Sequence, residues 1–348
     1  MRRTEPGLDV YRGVLVLAMI AVHARRMEAA SARAVHGAGR AALDLLAWTE
    51  PFVAAAFLFV AGASLVLARR AAVDAASFRR RLPRRVAGLL LLSMALFVLE
   101  YGFELPDLVV SSGVLGVIAL GSLACGGALL SPHRDALLVA LAALAVAVTA
   151  LLDTSGASVP GLNAGPGGAV PMLAFTALGA LGFARGTRGF AALTALLAVP
   201  FGVVLVSGQP WLTERVSRYA SHASGLALTD LFARSQAGHG TLLVTFWNHS
   251  ALGAVALFFP LCLGLLAFVT LPRAVAAHRA LDPLALLGRH ALLAYVGHLG
   301  LLGLVQLHGF APATPGQTWA LWAALVAACL AAALAATAAR RRGTRRAP

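Results

Sequence analysis

Residues 8–23 read LDVYRGVLVLAMIAVH, an apolar run that Asp9, Arg12 and His23 interrupt. A run of this kind approaches the ~20 apolar residues that a helix needs to cross a bilayer. Similar runs recur along all 348 residues, and the mean hydropathy of the chain is +0.82. Because the surface of a soluble domain needs many more charges than the 12% present here, the composition excludes an ordinary cytosolic enzyme and a disordered chain.

The apolar runs predict an all-α, polytopic integral membrane helix bundle with about ten transmembrane helices, since a backbone in lipid must satisfy its own hydrogen bonds. The predicted spans are 10–25, 44–68, 86–103, 107–130, 135–152, 167–184, 189–208, 248–271, 290–308 and 317–339. We predict one transmembrane domain over residues 1–340 and a basic cytoplasmic tail at 341–348. Broken helices of the transporter kind are not evident.

All 28 basic residues of the chain are arginines, and their positions orient the spans. One cluster lies between the second and third spans and comprises Arg69, Arg70, Arg79, Arg80, Arg81, Arg84 and Arg85. With this cluster and the tail on the inner side, most arginines are inside, so the positive-inside rule places both termini there. Because the arginines lie between apolar runs, we interpret them as topogenic and predict no nucleic-acid partner.

Cys125, Cys262 and Cys329 each lie inside an apolar run, without a CxxC motif. Cysteines in such positions pack as small hydrophobic residues, so we expect no disulfide, no zinc site and no other metal. The chain also lacks the P-loop, HExxH, GxSxG and Rossmann motifs. The candidates for chemistry are therefore the ionisable groups at membrane depth, where each one is costly.

The first span carries three such groups. Asp9 and Arg12 are three residues apart, so they share a helix face and can pair near the inner interface. His23 follows Arg12 by about 16 Å, nearly three helical turns, and so lies on the same face. One interpretation is a wet interior cavity in which His23 moves protons near neutral pH. The alternative is structural, with a snorkelling arginine and a histidine at the outer headgroups.

The ninth span places His298 near mid-membrane, with Tyr295 three residues earlier on the same face. The two residues form either a second polar wall of that cavity or a packed histidine bonded to a neighbouring helix. Four residues near the outer side are candidates for contact with a polar substrate, namely Trp48, Glu50, Asn248 and His249. The alternative for these four is that they mark the membrane interface.

Residues 8–23 resemble the LDxxRGxxxxxMxxxH start of the transmembrane acyltransferases. Later segments are similar to patterns of the heparan-α-glucosaminide N-acetyltransferase catalytic domain family, namely residues 57–64, 110–119, 171–182 and 286–298. The resemblance implies a bacterial enzyme of the cytoplasmic (inner) membrane. It implies acetyl transfer from cytosolic acetyl-CoA to a sugar or glycan across the bilayer, by way of an intramembrane histidine. His23 matches that histidine, with Asp9 and Arg12 as its motif companions.

The leading prediction is therefore acyl transfer, with His23 as general base or transient acyl carrier and His298 as a helper. Arginines grip phosphates, and the predicted contacts to acyl-CoA come from Arg12, Arg84, Arg85 and Tyr295. The predicted contacts to the acceptor hydroxyl or amine come from Trp48, Glu50, Asn248 and His249. Glu50 is our candidate to replace an aspartate that this family has before its Pro-Phe pair and that this chain lacks.

Two other functions stay open at this point. A small-solute or lipid transporter could use the same polar cavity without acyl chemistry, with the histidines as a gate or proton relay. A catalytically inactive scaffold would not need His23. The oligomeric state is also open, with a homodimer as one case.

Overall fold

The computed structural model describes residues 5–29, 35–101, 103, 105–157, 159–163, 168–207, 251–271, 275 and 278–346. The described helices, in chain order, are α1 (Pro6–Arg26), α2 (Ala38–Ala71), α3 (Ala75–Tyr101), α4 (Asp107–Val110), α5 (Val114–Ala128), α6 (Arg134–Ser155), α7 (Met172–Ala184), α8 (Gly186–Ser207), α9 (Ala251–Thr270), α10 (Asp282–Arg289), α11 (Ala291–Leu307) and α12 (Pro315–Arg346). A 3-10 turn at Arg279–Leu281 precedes α10. The prediction of an all-α protein is confirmed.

The chain divides into two compact units. The central unit contains Met1–Arg3 and Ala54–Ala267, and the terminal unit contains Thr4–Val53 and Phe268–Pro348. Helix α1, the first half of α2 and helices α10 to α12 belong to the terminal unit. The single domain expected over residues 1–340 stays a prediction, and α12 continues as a helix into the basic tail.

Apolar helices of membrane-spanning length recur along the chain. Among the described residues, seven helices are long and apolar enough to cross a bilayer, namely Pro6–Arg26, Phe52–Ala71, Ala75–Leu99, Arg134–Ser155, Gly186–Val206, Ala251–Thr270 and Pro315–Arg342. The bent pair Arg279–Arg289 and Ala291–Leu307 gives an eighth candidate, while α5 and α7 are apolar but shorter. The integral membrane helix bundle is confirmed, whereas ten crossings and the inner position of both termini stay predictions.

Glycines bring α1 and α10 of the terminal unit into backbone contact. A Cβ atom on Gly13 would overlap the carbonyl oxygen of Leu284, and one on Gly288 would overlap that of Asp9. Small residues of this kind let helix backbones approach closely in a membrane, where packing rather than the hydrophobic effect holds helices together. The contact places the turn of α1 that carries Asp9 directly against α10.

The path of the chain bends by 76° between α10 and α11. Helix α10 ends where the backbone N–H of His290 meets the carbonyl oxygens of Leu286 and Leu287. Nε2 of His290 lies 2.9 Å from Oγ1 of Thr337 on α12. The bend was not evident in the sequence, because residues 286–298 contain no proline and the Thr337 contact comes from a distant part of the chain.

We expect Gly288→Ala to destabilise the terminal unit by at least the ~1–3 kcal/mol typical of an overpacked core, because the obstacle is backbone that cannot rotate away. Gly297→Ala on α11 is the matched control, since a Cβ atom there meets nothing within 4 Å among the described residues. Alanine is the better helix former, so the control should be neutral or stabilising. The midpoint of thermal unfolding in detergent micelles compares them, and equal midpoints would contradict the backbone contact.

The central unit uses the same device between α2 and α7. A Cβ atom on Gly62 would overlap the carbonyl oxygen of Thr176, and one on Gly179 would overlap that of Phe59. The guanidinium of Arg70 donates to the carbonyl oxygen of Phe183, 3.0 Å away, at the end of α7. A cation at this position complements the negative end of the helix dipole. One arginine of the predicted cluster thus joins the end of α2 to the end of α7.

Candidate active site

Two histidines of the terminal unit meet inside the bundle. Nδ1 of His23 on α1 lies 2.7 Å from Nε2 of His298 on α11, which is hydrogen-bonding distance. The two rings are nearly parallel, with an interplanar angle of 14° and centroids 5.0 Å apart. His298 is completely buried, and His23 is partly buried. The structure therefore brings together the two histidines that the sequence marked separately.

The hydrogen bonds around this pair define which ring nitrogens carry protons. Nδ1 of His298 lies 2.8 Å from the carbonyl oxygen of Ala294. Because a carbonyl oxygen only accepts, Nδ1 of His298 donates, and in the neutral ring its Nε2 is then an acceptor. Nδ1 of His23 consequently donates to Nε2 of His298. With both rings neutral, this arrangement leaves the lone pair on Nε2 of His23, the nitrogen that can act as a base or nucleophile.

Two further side chains lie near His298, one at its ring and one at the carbonyl oxygen that its Nδ1 contacts. The ring of Tyr295, one turn earlier on α11, meets the imidazole edge-on with centroids 5.9 Å apart. Sγ of the buried Cys329 on α12 lies 3.7 Å from the same Ala294 carbonyl oxygen that His298 uses. The shared face of Tyr295 and His298 is confirmed. Our interpretation of Cys329 as a small core residue did not include this contact, for which the sequence has no local signal.

Asp9 and Arg12 form the predicted ion pair on α1. Nη1 of Arg12 lies 2.9 Å from Oδ1 of Asp9, and Asp9 is buried. The pairing is confirmed, while its part in catalysis stays a prediction. Three helical turns, about 16 Å along the axis, separate Arg12 from His23 on the continuous helix α1.

A buried ionic cluster lies just beyond the end of α1, and we call it the Glu28 cluster. It comprises Glu28, Arg40, Asp44 and Thr318. Oε2 of Glu28 lies 2.7 Å from Nη1 of Arg40, and Oγ1 of Thr318 donates to Oε1 of Glu28 at 2.8 Å. Arg40 also donates through Nε and Nη2 to Asp44, one turn later on α2. These hydrogen bonds raise the pKa of Arg40, and those to Asp44 have the largest effect. The sequence analysis missed this cluster.

The arginine cluster predicted to bind acyl-CoA belongs to the central unit. Arg84 lines a depression of about 460 Å³ at the start of α3, together with Ser77, Arg80 and Arg81. Arg85 is exposed next to Arg84 on the same helix. Guanidinium groups gathered in this way suit phosphate, which they bind in a bidentate manner.

The structure does not describe the side chains of the four residues that we predict to contact the sugar acceptor. Trp48 and Glu50 are in helix α2, and their side chains lie outside the part of the chain that the structure describes. Asn248 and His249 lie outside the described residues. Within the ranges that are described, no three histidine, cysteine, aspartate or glutamate side chains are grouped as metal ligands.

The fold and the histidine pair define the class of this protein. It is an integral membrane helix bundle in which two histidines are hydrogen-bonded to each other, and the tautomer of the neutral pair leaves the lone pair on Nε2 of His23. The family model of the heparan-alpha-glucosaminide N-acetyltransferase catalytic domain matches residues 5–209, and the chain belongs to this family. No curated protein and no solved structure matches the chain.

Family membership confirms the resemblance noted in the sequence. The family is one of membrane N-acetyltransferases, which use acetyl-CoA as a substrate. The matched range contains Asp9, Arg12 and His23, as well as the arginine cluster of the central unit. His298 and Tyr295 lie beyond it, and the structure shows the contact of His298 with His23 and of Tyr295 with His298.

Proposed function

We propose that this protein transfers an acetyl group from cytosolic acetyl-CoA to a hydroxyl or amine of a sugar or glycan at the outer side of a bacterial cytoplasmic membrane. The observation that carries the proposal is the His23–His298 hydrogen bond, which directs the lone pair of His23 to Nε2. Membership of the N-acetyltransferase family supports the donor and the reaction type.

In the first route His23 is a general base. Nε2 takes the proton from the acceptor N–H or O–H as the acceptor attacks the thioester carbonyl. The C–S bond then breaks, and the imidazolium returns the proton to the departing CoA sulfur. His298 stabilises the imidazolium by accepting the hydrogen bond from Nδ1 of His23. The products are the acetylated acceptor and the CoA thiol, and His23 is neutral again at the end of the cycle.

In the second route His23 is a transient acyl carrier. Nε2 attacks the thioester carbonyl, and the Nδ1 proton passes along the existing hydrogen bond to Nε2 of His298. The resulting His298 imidazolium protonates the CoA thiolate, directly or through water. The acceptor then attacks the acetylimidazole, and its proton returns to His23. Both routes use the same pair and need no metal.

The other predicted site residues would bind the donor, acetyl-CoA, or the acceptor. Arg84, with Arg80 and Arg81 in the same depression, and Arg85 beside it would bind the phosphates of acetyl-CoA. Arg12 and Tyr295 would contact the donor, and Asp9 would hold Arg12 in place through their ion pair. The acceptor contacts assigned to Trp48, Glu50, Asn248 and His249 stay predictions, as does a homodimer.

The experiment that tests the proposal is acetyl transfer by the purified protein in nanodiscs. Acetyl-CoA with a radiolabelled acetyl group is mixed with a panel of amino sugars, neutral sugars and oligosaccharides, and labelled products are separated and counted. We expect label in at least one sugar class, with one CoA thiol released per acetyl group transferred. Absence of both transfer and acetyl-CoA binding would contradict the proposal.

The bend at His290 favours a second candidate, a transporter, because broken helices line the substrate cavities of many transporters. Proteoliposomes that hold the protein, with labelled sugars or lipids outside, distinguish the two. Transport predicts uptake of unmodified solute in the absence of acetyl-CoA. Acyl transfer predicts acetylated product and no such uptake.

A further inference from the structure

Helix α12 contacts both of the helices that carry the histidine pair. Nε1 of Trp322 donates to the carbonyl oxygen of Leu17 on α1, 3.1 Å away and less than two turns before His23. Thr318 donates to Glu28, which lies five residues after His23. Cys329 reaches the Ala294 carbonyl oxygen that orients His298 on α11. One helix is thus in contact with α1 before His23, with Glu28 just beyond the end of α1, and with the backbone beside His298.

Of these contacts, the one made by Glu28 has the largest desolvation penalty. It is 4% exposed and its main partner Arg40 is 8% exposed, so two opposite charges are buried together. A buried ion pair gains little stability over a hydrophobic pair of the same size, because removing both charges from water costs several kcal/mol. It does impose a geometry, since each carboxylate oxygen must meet its own donor. Here Oε2 meets Arg40 of α2, and Oε1 meets Thr318 of α12.

We propose that Glu28, held by Arg40 and Thr318, is a positioning residue for His23: it ties the end of α1 to α2 and α12 and so sets the distance between the imidazoles of His23 and His298. This inference rests on the proposed function for its kinetic consequence. Its structural content, the placement of His23 against His298, is independent of the reaction.

The size of the effect follows from the demands of proton transfer. A hydrogen bond weakens steeply as it lengthens or bends, and a displacement of about 1 Å at a reacting group can cost ~10²-fold in rate. Loss of one donor to Glu28 leaves the Arg40 pair in place, so we expect a smaller displacement. The rate at saturating substrates should fall about tenfold, with little change in the affinity for acetyl-CoA.

Thr318→Val tests the proposal, with Thr149→Val as its matched control. Both threonines are 1% exposed, and the hydroxyl of each lies within hydrogen-bonding distance of the carbonyl oxygen four residues earlier. Of the two, Thr318 also donates to a carboxylate, that of Glu28 just beyond the end of α1. Thr318→Ser keeps that donor and should restore the rate to within about threefold of the wild type, whereas a purely steric role of the methyl group would make serine, which lacks it, poorer than valine, which keeps it.

Two readouts separate this inference from the proposed function. The first is kcat and KM for acetyl transfer in nanodiscs. The second is the NMR signal of the proton shared by His23 and His298 in protein with 15N-labelled histidine, assigned by its loss in His23→Gln. We expect Thr318→Val to lower kcat and to broaden or remove that signal, with thermal midpoints close to those of Thr149→Val.

An unchanged shared-proton signal in Thr318→Val would overturn the positioning role, whatever the protein's activity. An equal fall of kcat in Thr149→Val, or no rescue by serine, would also overturn it. A wild-type protein with the shared proton but no acetyl transfer would contradict the proposed function alone.

Discussion

Replacement of His23 by alanine is expected to reduce acetyl transfer by roughly 10²–10⁴-fold, the range that a positioned general base contributes. The reason is that Nε2 of His23 is the nitrogen that the tautomer of the pair leaves with a lone pair. The loss should appear in kcat, because the group acts on the reacting atoms. The dissociation constant for acetyl-CoA, measured by equilibrium dialysis in nanodiscs, should change little.

His308→Ala is the control for that variant. His308 is also a histidine of the terminal unit, but it is exposed at the end of α11, where Nδ1 bonds the Leu304 carbonyl oxygen. Its removal should leave the rate within about twofold of the wild type, as for most surface substitutions away from a site. A folded His23→Ala protein that turns over at the wild-type rate would move the chemistry away from α1.

The same material decides between the two routes. Protein mixed with labelled acetyl-CoA in the absence of acceptor, then denatured rapidly in the cold near neutral pH, where acetylimidazole hydrolyses most slowly, should retain label if His23 is a carrier. Under direct transfer no label remains on the protein. His23→Ala should lack label in either case, which identifies the residue that carries it.

Replacement of His298 by leucine should reduce the rate by about 10²-fold or more, through loss of orientation rather than loss of a reacting group. Leucine cannot accept a hydrogen bond from Nδ1 of His23. The tautomer of His23 with its proton on Nδ1 therefore loses the interaction that favours it. The ring then populates both tautomers and both flipped orientations. The imidazolium formed during transfer also loses its acceptor in a setting where an unpaired polar group is costly.

His298→Gln separates orientation from packing. The glutamine amide oxygen can accept from Nδ1 of His23 in place of Nε2, although glutamine cannot take up a proton. We expect this variant to be faster than His298→Leu by roughly tenfold under the general-base route, in steady-state acetyl transfer at saturating substrates. Under the carrier route glutamine should be nearly as slow as leucine, because the Nδ1 proton has no acceptor base. Wild-type rates in His298→Leu would exclude a role for the pair.

Local sequence patterns were sufficient for much of the architecture. A helix is the structure that satisfies its own backbone in lipid, so long apolar runs such as residues 135–152 imply helices without any knowledge of their partners. The structure has α6 at Arg134–Ser155 for that run. The bend at His290 was not evident, since the segment has no proline. Gly288, two residues earlier, packs on α1, and Thr337 of α12 contacts His290 itself.

Some contacts of the candidate site also follow from local sequence. Asp9 pairs with Arg12, and Tyr295 lies beside His298, because each pair is three residues apart on one helix and helical geometry alone makes such residues neighbours. Those contacts were predictable from spacing.

The sequence by itself determined that this protein is a membrane helix bundle, since hydropathy and helical spacing are local properties. The acyltransferase character of its first span came from the resemblance of residues 8–23 to the family. Only the tertiary structure decided that His23 and His298, 275 residues apart, share a hydrogen bond, and that Glu28 lies between Arg40 and Thr318. Contacts at such separations arise from how helices pack, through close backbone approach at glycines such as Gly13 and Gly288. No periodicity within one helix encodes which partner it will meet.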